Sequence, residues 1–305
     1  MAIPFEVLIL GSGSAIPNKN KNHTCQIVTY NNNNFLFDCG EGCQIQLKRY
    51  GVSVQKIDHI FISHLHGDHY LGLAGLISSM NLLGREKDLF IYGPAQIRDV
   101  INLHFQLANS RSSFRIRYSD TQNKTFETLF KKGNVEISSF PVKHKISTTG
   151  FLISAGSTKR KLISSLLEKH NIPKHLRSGI AEGRDFTKES GKIIKNANLT
   201  EDPEPLRSYA YCADTLYLPG LTEHLTGVNL MYHETSFLKE DVKRAKKHFH
   251  TTAEQAAELA KICKVEKLLI GHFSNKYKDD NDFLLEAKSV FPETYIATEG
   301  VRYAV

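Results

Sequence analysis

The sequence lacks any apolar run long enough to cross a membrane, since a spanning helix needs roughly 18 to 20 consecutive apolar residues. The first stretch, MAIPFEVLILGSGSAIP, also lacks the basic start of a secretory signal peptide, and Glu6 lies beside its short apolar segment. We therefore expect neither a membrane protein nor an exported one, and we expect the chain to work in the cytoplasm.

Cysteine is too scarce and too irregularly spaced for a disulfide framework. The chain has five, an odd number: Cys25, Cys39, Cys43, Cys212 and Cys263. Buried, reduced thiols are the expected state, as in most cytosolic proteins. Cys39 and Cys43 could be half of a zinc site, but no second cysteine pair follows them. Tryptophan is also absent, which excludes little.

Positive charge is in excess and partly local. The 305 residues carry a formal net charge of +7, and 41% of them are hydrophobic, which is ordinary for one large domain or two small ones. Between Lys159 and Lys195 the sequence has ten Lys or Arg residues against four Asp or Glu. Such a segment suits a polyanionic partner. The alternative is a solvated surface loop.

Short apolar segments alternate with helical patterns along most of the chain. Residues 251–263 predict a helix that Thr251 or Thr252 can cap, with alanines at helical spacing. Helices are also predicted over 71–83 and after Pro94. The predicted strands are 5–10, 26–30, 35–37, 57–63, 89–92, 135–140, 209–212, 230–232 and 268–270. This alternation indicates an α/β fold. Residues 155–207 interrupt it and are interpreted as an inserted arm with a helix at 161–170.

Residues 62–72, ISHLHGDHYLG, place three histidines and one aspartate within six positions. His64 and His66 share a face of an extended segment, and His69 can turn toward the same space from the start of a helix. If these imidazoles were protonated, their closeness would be unfavourable, so a bound cation is the better explanation. The alternative is a set of surface histidines with Asp68 capping a helix.

Ligand-type residues recur where the predicted strands end, which is where α/β folds build their sites. His64, His144, Asp214 and His272 all follow strands in this way. Imidazole and carboxylate ligands without thiolate favour zinc or a similar ion. A single catalytic zinc uses about three or four ligands, so the excess predicts two metal ions that share a carboxylate. The candidate ligands are His64, His66, Asp68, His69, His144, Asp214 and His272.

The motif H-x-H-x-D-H after a short apolar strand resembles the metallo-β-lactamase superfamily and, within it, the ribonuclease Z (tRNase Z) family. The resemblance covers nearly the whole chain, because several short blocks occur in the family's order. These blocks are LGSGSAIP at 10–17, PNKNKN at 17–22, FDCGEG at 37–42, YHETSF at 232–237, HTT at 250–252 and GHFSNKY at 271–277. Lys21 stands where the family prefers arginine.

The resemblance implies one catalytic domain over residues 1–305, a four-layer αβ/βα sandwich of two mixed sheets flanked by helices. It also implies two zinc ions, with manganese or iron as alternatives. His64, His66 and His144 would hold the first ion. Asp68, His69 and His272 would hold the second, and Asp214 would bridge the two.

The implied activity is an endonuclease that removes the 3′ trailer from precursor tRNA and leaves a 3′-hydroxyl on the tRNA. Asp68 would accept a proton from the attacking water, and His250, paired with Glu234, would protonate the leaving oxygen. Asp38 either orients a ligand histidine or only forms a turn before Gly40.

The family implies further contacts with the substrate and a homodimer. Lys19 and Lys21 lie in the P-x-K-x-R-N-like loop. Ser274 and Lys276 follow His272 and either grip a phosphate or are ordinary surface. The basic arm, residues 155–207, would clasp the tRNA away from the cut. Many bacterial relatives have a Gly-Pro pair in the arm, whereas Pro173 is followed here by Lys174.

Other interpretations remain open at this stage. One is another hydrolase of the same fold, such as a cyclic-nucleotide phosphodiesterase, a glyoxalase II or a β-lactamase. Another is an RNA-binding protein with a structural metal. Gly11-x-Gly13 suggests a dinucleotide site, but Ile16 stands in place of the third glycine. The remaining histidines have no metal-binding context: His23, His59, His104, His170, His175, His224, His233 and His248.

Overall fold

Two mixed β-sheets of seven strands each form the body of the protein within the residues that the structure describes. The computed structural model describes residues 3–122 and 125–305. Met1, Ala2, Asn123 and Lys124 of the expected domain lie outside the described residues. In chain order the strands are β1 (Phe5–Gly11), β2 (Cys25–Tyr30), β3 (Asn33–Phe37), β4 (Ile57–Phe61), β5 (Leu89–Gly93), β6 (Ile116–Asp120), β7 (Glu127–Lys132), β8 (Val135–Lys143), β9 (Ser147–Ala155), β10 (Lys161–Leu162), β11 (Phe186–Thr187), β12 (Ile193–Ile194), β13 (Thr200–Glu201), β14 (Arg207–Cys212), β15 (Leu230–Glu234), β16 (Lys267–Gly271), β17 (Thr294–Ile296) and β18 (Arg302–Ala304).

Helices connect and cover the strands. They are α1 (Cys43–Arg49), α2 (Gly67–Tyr70), α3 (Leu73–Leu82), α4 (Ile97–Leu107), α5 (Ser164–Lys169), α6 (Arg177–Ala181), α7 (Thr222–Leu225), α8 (Val242–His248), α9 (Ala253–Ile262) and α10 (Asn281–Val290). Short 3₁₀ turns lie at Val54–Lys56, Lys174–Leu176, Asn196–Asn198, Pro219–Leu221 and Lys239–Asp241. Over the described ranges, no helix has the length and apolar character that a bilayer crossing requires.

The strand order aligns the carboxyl ends of many strands. The first sheet runs β18-β1-β2-β3-β4-β5-β6, and the second runs β17-β16-β15-β14-β9-β8-β7. Strands β3 to β6 are parallel to one another, as are β14 to β17. The carboxyl ends of each parallel set therefore meet at one edge of its sheet, the position where α/β folds place their sites.

The sequence explains the layers, because alternate residues of a strand point to opposite faces of a sheet. Val7 and Ile9 of β1 pack in the core between the sheets, whereas Leu8 and Leu10 pack in the core beneath the helices. Both faces are buried, so the strand is an almost continuous apolar run. A third core lies under α9 and α10 on the outer face of the second sheet. This arrangement confirms the expected four-layer sandwich.

The sequence predicts which helices and strands exist better than it predicts where they begin and end. The predicted helix at 251–263 exists as α9, and Thr252 and Gln255 form a capping box at its start. The strand predicted at 57–63 ends at Phe61. The helix predicted at 71–83 exists as α3, and a separate short helix, α2, precedes it. Strand β8 continues to Lys143, three residues beyond its predicted end, which carries the chain directly to His144.

The arm has a small core of its own. Two short ladders, β10 with β13 and β11 with β12, accompany α5 and α6. Apolar side chains of these elements and of the segments between them are buried together, namely Leu167, Ile172, Ile180, Phe186, Ile194 and Leu199. Part of the positive charge is paired within the arm, since Lys161 lies 2.9 Å from Glu201 and Lys195 lies 2.9 Å from Asp185. The arm is therefore more ordered than the loop-rich segment that the sequence predicts.

Candidate metal centre

The candidate ligands converge at the carboxyl ends of strands from both sheets. His144 directly follows β8 and His272 directly follows β16, while His64 and Asp214 lie within three residues of the ends of β4 and β14. His272 has a left-handed backbone (φ 62°), which is uncommon for a residue other than glycine. The strand ends thus bring together residues up to 208 positions apart in the sequence, as the spacing of the motifs predicts.

One group consists of three histidine nitrogens. His64 Nε2 lies 3.0 Å from His66 Nδ1, which lies 3.2 Å from His144 Nε2. Asp214 Oδ2 completes the group at 3.7 Å from His64 Nε2 and 3.8 Å from His144 Nε2. Ligand atoms of all four residues lie within 4.8 Å of one another, which is close enough for one ion.

A second group faces the other oxygen of Asp214. His69 Nε2 and His272 Nε2 are 3.3 Å apart, and Asp68 Oδ2 lies 3.4 Å and 3.2 Å from them. Asp214 Oδ1 lies 3.4 Å from His69 Nε2 and 3.2 Å from His272 Nε2. Asp214 therefore presents one carboxylate oxygen to each group.

Divalent cations fit these two groups. Asp214 Oδ1 is buried and accepts no hydrogen bond from any described residue, and an unpaired buried carboxylate oxygen is strongly unfavourable. Burial acts to raise the pKa of Asp214, but the neighbouring His272 and His69 hold it well below its usual range, so the carboxylate is charged. Burial and His69 hold the pKa of His64 well below its usual value, which leaves that imidazole neutral and able to bind a metal.

Hydrogen bonds on the far side of each ring fix the ligand nitrogens. The Nδ1–H group of His144 donates to the Phe249 carbonyl oxygen at 2.8 Å. His272 Nδ1 lies 3.0 Å from Ser236 Oγ, and His64 Nδ1 lies 3.0 Å from Ser63 Oγ. Such contacts orient a metal-binding imidazole and set which nitrogen is free.

Asp38 orients a candidate ligand histidine, the first of the two roles that the sequence allows. Its backbone is left-handed (φ 53°), and its Oδ2 lies 2.7 Å from His69 Nδ1. The same carboxylate accepts hydrogen bonds from the Ser63 backbone N–H at 2.7 Å and from the Tyr211 hydroxyl at 2.6 Å. Tyr211 belongs to the second sheet, so Asp38 ties the two sheets together behind the ligands.

The partly buried His250 and the buried Glu234 form a pair beside the ligands. His250 Nδ1–H donates to Glu234 Oε1 at 2.9 Å, and the other oxygen accepts from Ser236 Oγ at 2.9 Å. Burial lowers the pKa of His250, but the charge and hydrogen bond of Glu234 outweigh it and raise that pKa to about 9. The contact with Glu234 therefore favours the protonated imidazole, the form that can donate a proton.

The centre opens into a cavity of about 580 Å³ that Asp68, His66, His144 and His250 line. Ser274 also lines it. Lys21 does not line the cavity, because its ammonium lies 2.5 Å from Asp280 Oδ1. Lys276 does not line it either, and pairs with Asp241 instead. Lys19 is exposed on its loop and lies outside the lining.

Several residues of the site escape sequence reasoning. Lys145, Arg244 and His248 form a basic rim of the cavity on the side of His250. His23 also lines it, and both of its ring nitrogens are buried without a partner among the described residues. His233 is buried but lies away from the ligands, with Nδ1 on the Glu234 carbonyl oxygen. Of these residues, only Lys145 could have been identified from the sequence, because it directly follows the predicted ligand His144.

Comparisons with known proteins find relatives that match nearly the whole chain. The chain is similar to ribonuclease Z of Phocaeicola vulgatus, with 38% identity over 99% of this chain and 97% of that protein. It is similar in structure to human tRNase Z, short form (TM-score 0.70, 22% identity, 98% of each chain). It is also similar to the metallo-β-lactamase fold protein YhfI of Bacillus subtilis (TM-score 0.71, 19% identity, 99% and 100% of the two chains). The family model described as anti-Pycsar protein Apyc1 matches residues 5–167.

The contact of Asp38 with His69 generates a prediction about metal affinity. Asp38→Asn keeps the size of the side chain but removes the charge that orients His69. We expect it to weaken binding of a divalent cation to the group of Asp68, His69 and His272 by about 10- to 100-fold. Competition with a chromophoric chelator measures this. Asp88→Asn, which changes an exposed partner of Arg117, should leave the affinity unchanged, and an equal effect of both variants would contradict the assignment.

Proposed function

This chain belongs to the ribonuclease Z family and, through residues 5–167, also to the family described as anti-Pycsar protein Apyc1. Because it belongs to the ribonuclease Z family, we propose that it is a zinc-dependent endoribonuclease that cuts the 3′ trailer from precursor tRNA. It is a metal-dependent hydrolase of the metallo-β-lactamase fold. The observation that carries the proposal is the pair of ligand groups sharing Asp214, within a chain that ribonuclease Z relatives match over nearly its full length. The product would be a tRNA with a 3′-hydroxyl.

We propose two zinc ions per chain, with manganese or iron as alternatives. One ion would be held by His64, His66 and His144, and the other by Asp68, His69 and His272. Asp214 would bind both ions. The support is the closeness of these ligand atoms and the unpaired oxygen of Asp214. When bound, such ions supply hydroxide at neutral pH and offset the negative charge that develops on phosphorus.

Asp68 is the proposed proton acceptor. It lines the cavity, and the Ala15 backbone N–H donates to its Oδ2 at 2.8 Å, which fixes the carboxylate. Burial acts to raise the pKa of Asp68, but His69 and His272 lower it far more, so the side chain is an anion at neutral pH. An anion beside both ligands and cavity can orient the attacking water by accepting its hydrogen bond. The low pKa makes Asp68 a weak base, so transfer of the proton to it would depend on bound ions that make the water more acidic.

His250 is the proposed proton donor to the leaving 3′-oxygen. It lines the same cavity, and Glu234 keeps its Nδ1 occupied so that Nε2 is the nitrogen free to face the substrate. Glu234 itself is held in place by the backbone N–H groups of Thr215, Ser236 and Thr251, at 2.9 to 3.1 Å. Glu234 thus acts through His250.

The experiment that tests this function compares substrates of the alternative hydrolases. Metal-loaded protein is incubated with a precursor tRNA, a cyclic nucleotide and a thioester, and the cut in the RNA is mapped. We expect one cut at the 3′ trailer, with a 3′-hydroxyl on the tRNA. Faster hydrolysis of the cyclic nucleotide or the thioester, with the RNA left intact, would contradict the proposal.

The role of His250 predicts a pH dependence. A donor with a raised pKa is active below that pKa and loses activity as pH rises through it, so cleavage should fall on the alkaline side. Bound cations beside the ring lower its pKa, which places this fall at or below pH 9. His250→Ala should lower kcat by roughly 10²- to 10⁴-fold and abolish the alkaline fall.

Metal content, measured by elemental analysis, should stay at the wild-type value in His250→Ala. His104→Ala, which changes a histidine on α4 that contacts Ser78, is the matched control and should keep the wild-type profile. An unchanged alkaline fall in His250→Ala would contradict the assignment.

We propose that the arm, residues 155–207, binds the tRNA away from the cut and forms part of a single catalytic domain that spans residues 1–305. Phosphate contacts of lysine and arginine give affinity without reading sequence. The backbone N–H of Ser157 donates to the Glu204 carbonyl oxygen at 3.0 Å. The two ends of the arm therefore lie side by side, and its removal leaves a short gap.

Deletion of residues 158–195 should raise KM for precursor tRNA by roughly tenfold or more, because phosphate contacts are lost. Hydrolysis of bis(4-nitrophenyl) phosphate should be almost unchanged. The double change Lys169→Glu and Lys174→Glu, on the exposed surface of the arm, should reproduce part of the effect without removing chain. Equal loss on both substrates would mean that the arm belongs to the catalytic core.

We also propose a homodimer that works in the cytoplasm, where precursor tRNA is the substrate. Large apolar side chains are exposed on α3 and α4 and next to them, among them Leu82 (87% exposed), Leu83 (64%) and Leu107 (78%). Such a group suits a protein interface. Sedimentation velocity tests this, since a monomer at micromolar concentration would contradict it.

A further inference from the structure

A second cavity lies at the other end of the sandwich from the metal centre. Strand β4 begins beside it at Ile57 and ends near His64. The cavity has a volume of about 610 Å³, within the roughly 300 to 1,000 Å³ of small-ligand sites. Two hairpin turns flank it, one from each sheet. They are the β2–β3 turn, with Asn31 and Asn32 in the left-handed region (φ 48° and 62°), and the β7–β8 turn at Gly133 (φ 58°).

Aromatic rings form the apolar wall of this cavity. The rings of His59 and Phe130 lie 4.4 Å apart between centroids, and Phe35 lies 5.8 Å from each. His59 and Phe130 are only partly buried, whereas Phe35 is buried. Burial lowers the pKa of His59 to about 4, so its ring is neutral at physiological pH. A flat, uncharged ring of a ligand can therefore pack against this wall.

The rim of the cavity is positive. Lys56, Lys87 and Lys132 line it, and the ion pairs of the described residues around it involve Arg85, Arg117 and Lys131 instead. Asp58 is the one carboxylate among the described lining residues, and it lies 2.7 Å from Arg85 Nη2, which neutralises it. Three ammonium groups around one cavity favour an anionic ligand.

Amide side chains add hydrogen-bonding groups to the cavity. The hairpin residues 31–34 and Asn134 all line the cavity. Side-chain amides offer both donors and acceptors, which suit the hydroxyl groups and ring nitrogens of a polar ligand. Rings, amides and ammonium groups thus lie together in one cavity.

We propose that this cavity binds a nucleoside phosphate, with the base against Phe130 and His59, the ribose near the asparagines and the phosphate near Lys56, Lys87 and Lys132. Aromatic stacking and a basic groove are the two features by which proteins hold single nucleotides of RNA or DNA. The ligand is either a free mononucleotide or one nucleotide of a bound RNA. The site is separate from the metal centre, so this inference does not depend on the proposed function.

The probe is the monophosphate of 2-aminopurine riboside, whose fluorescence is quenched when the base stacks. Tryptophan is absent from the chain, so the protein contributes little emission in this range. Metal-loaded full-length protein is titrated into the probe and compared with the double variant Lys56→Glu and Lys132→Glu. We expect the dissociation constant to rise at least about tenfold, because two charge-assisted contacts become repulsive. Phe130→Ala should reduce the quenching itself.

Lys261→Glu, which changes an exposed lysine of α9 outside the arm and both cavities, is the matched control and should bind the probe as the wild type does. Probe held at the metal centre is equally present in all variants, so only the difference between them reports on this cavity. Competition with AMP and with a tetranucleotide RNA distinguishes the two sources of the ligand. Equal binding to the wild type and the double variant would overturn the proposal, as would inorganic phosphate competing as well as AMP.

Discussion

The carboxylate of Asp214 is the constraint around which the rest of the site is arranged. It is buried, charged, and turned so that each oxygen faces a different group of imidazoles, at 3.2 to 3.8 Å. Such a carboxylate is unfavourable in a protein interior unless positive charge neutralises it. The fold meets this requirement by ending strands of two sheets at one edge, with hydrogen bonds behind the rings that prevent the ligands from turning away. The hydrogen bond from Tyr211 to Asp38 therefore connects the two sheets directly behind the ligands.

Much of this site could be predicted from the sequence, because local spacing carries its strongest signals. His64, His66, Asp68 and His69 are recognisable together, and the rule that ligands follow strands found His144, Asp214 and His272. Family resemblance added His250 and Glu234, which the structure places in contact. These residues are histidines and acidic residues, the types that bind metals and transfer protons, and a sequence shows residue types directly.

The rest could not be predicted, for physical reasons. The Phe249 carbonyl oxygen orients His144. Every residue has a backbone carbonyl group, so the sequence does not show which one makes this contact. Ser236 contacts both His250 and His272, yet serine is common at any strand end. Lys21 and Lys276 were expected near the substrate, but they pair with Asp280 and Asp241, acids that are distant in the sequence. The second cavity depends on two hairpins that only the packed sheets bring together.

Counting bound zinc in wild-type protein and in Asp214→Asn tests the account most directly. Elemental analysis of the full chain, loaded with zinc and freed of excess metal, should give two ions per wild-type chain. Asp214→Asn has nearly the same shape but lacks the charge, so it should retain at most one ion and lose the cleavage of precursor tRNA. Two ions and full cleavage in the variant, or full cleavage by a wild-type chain stripped of metal, would contradict the account.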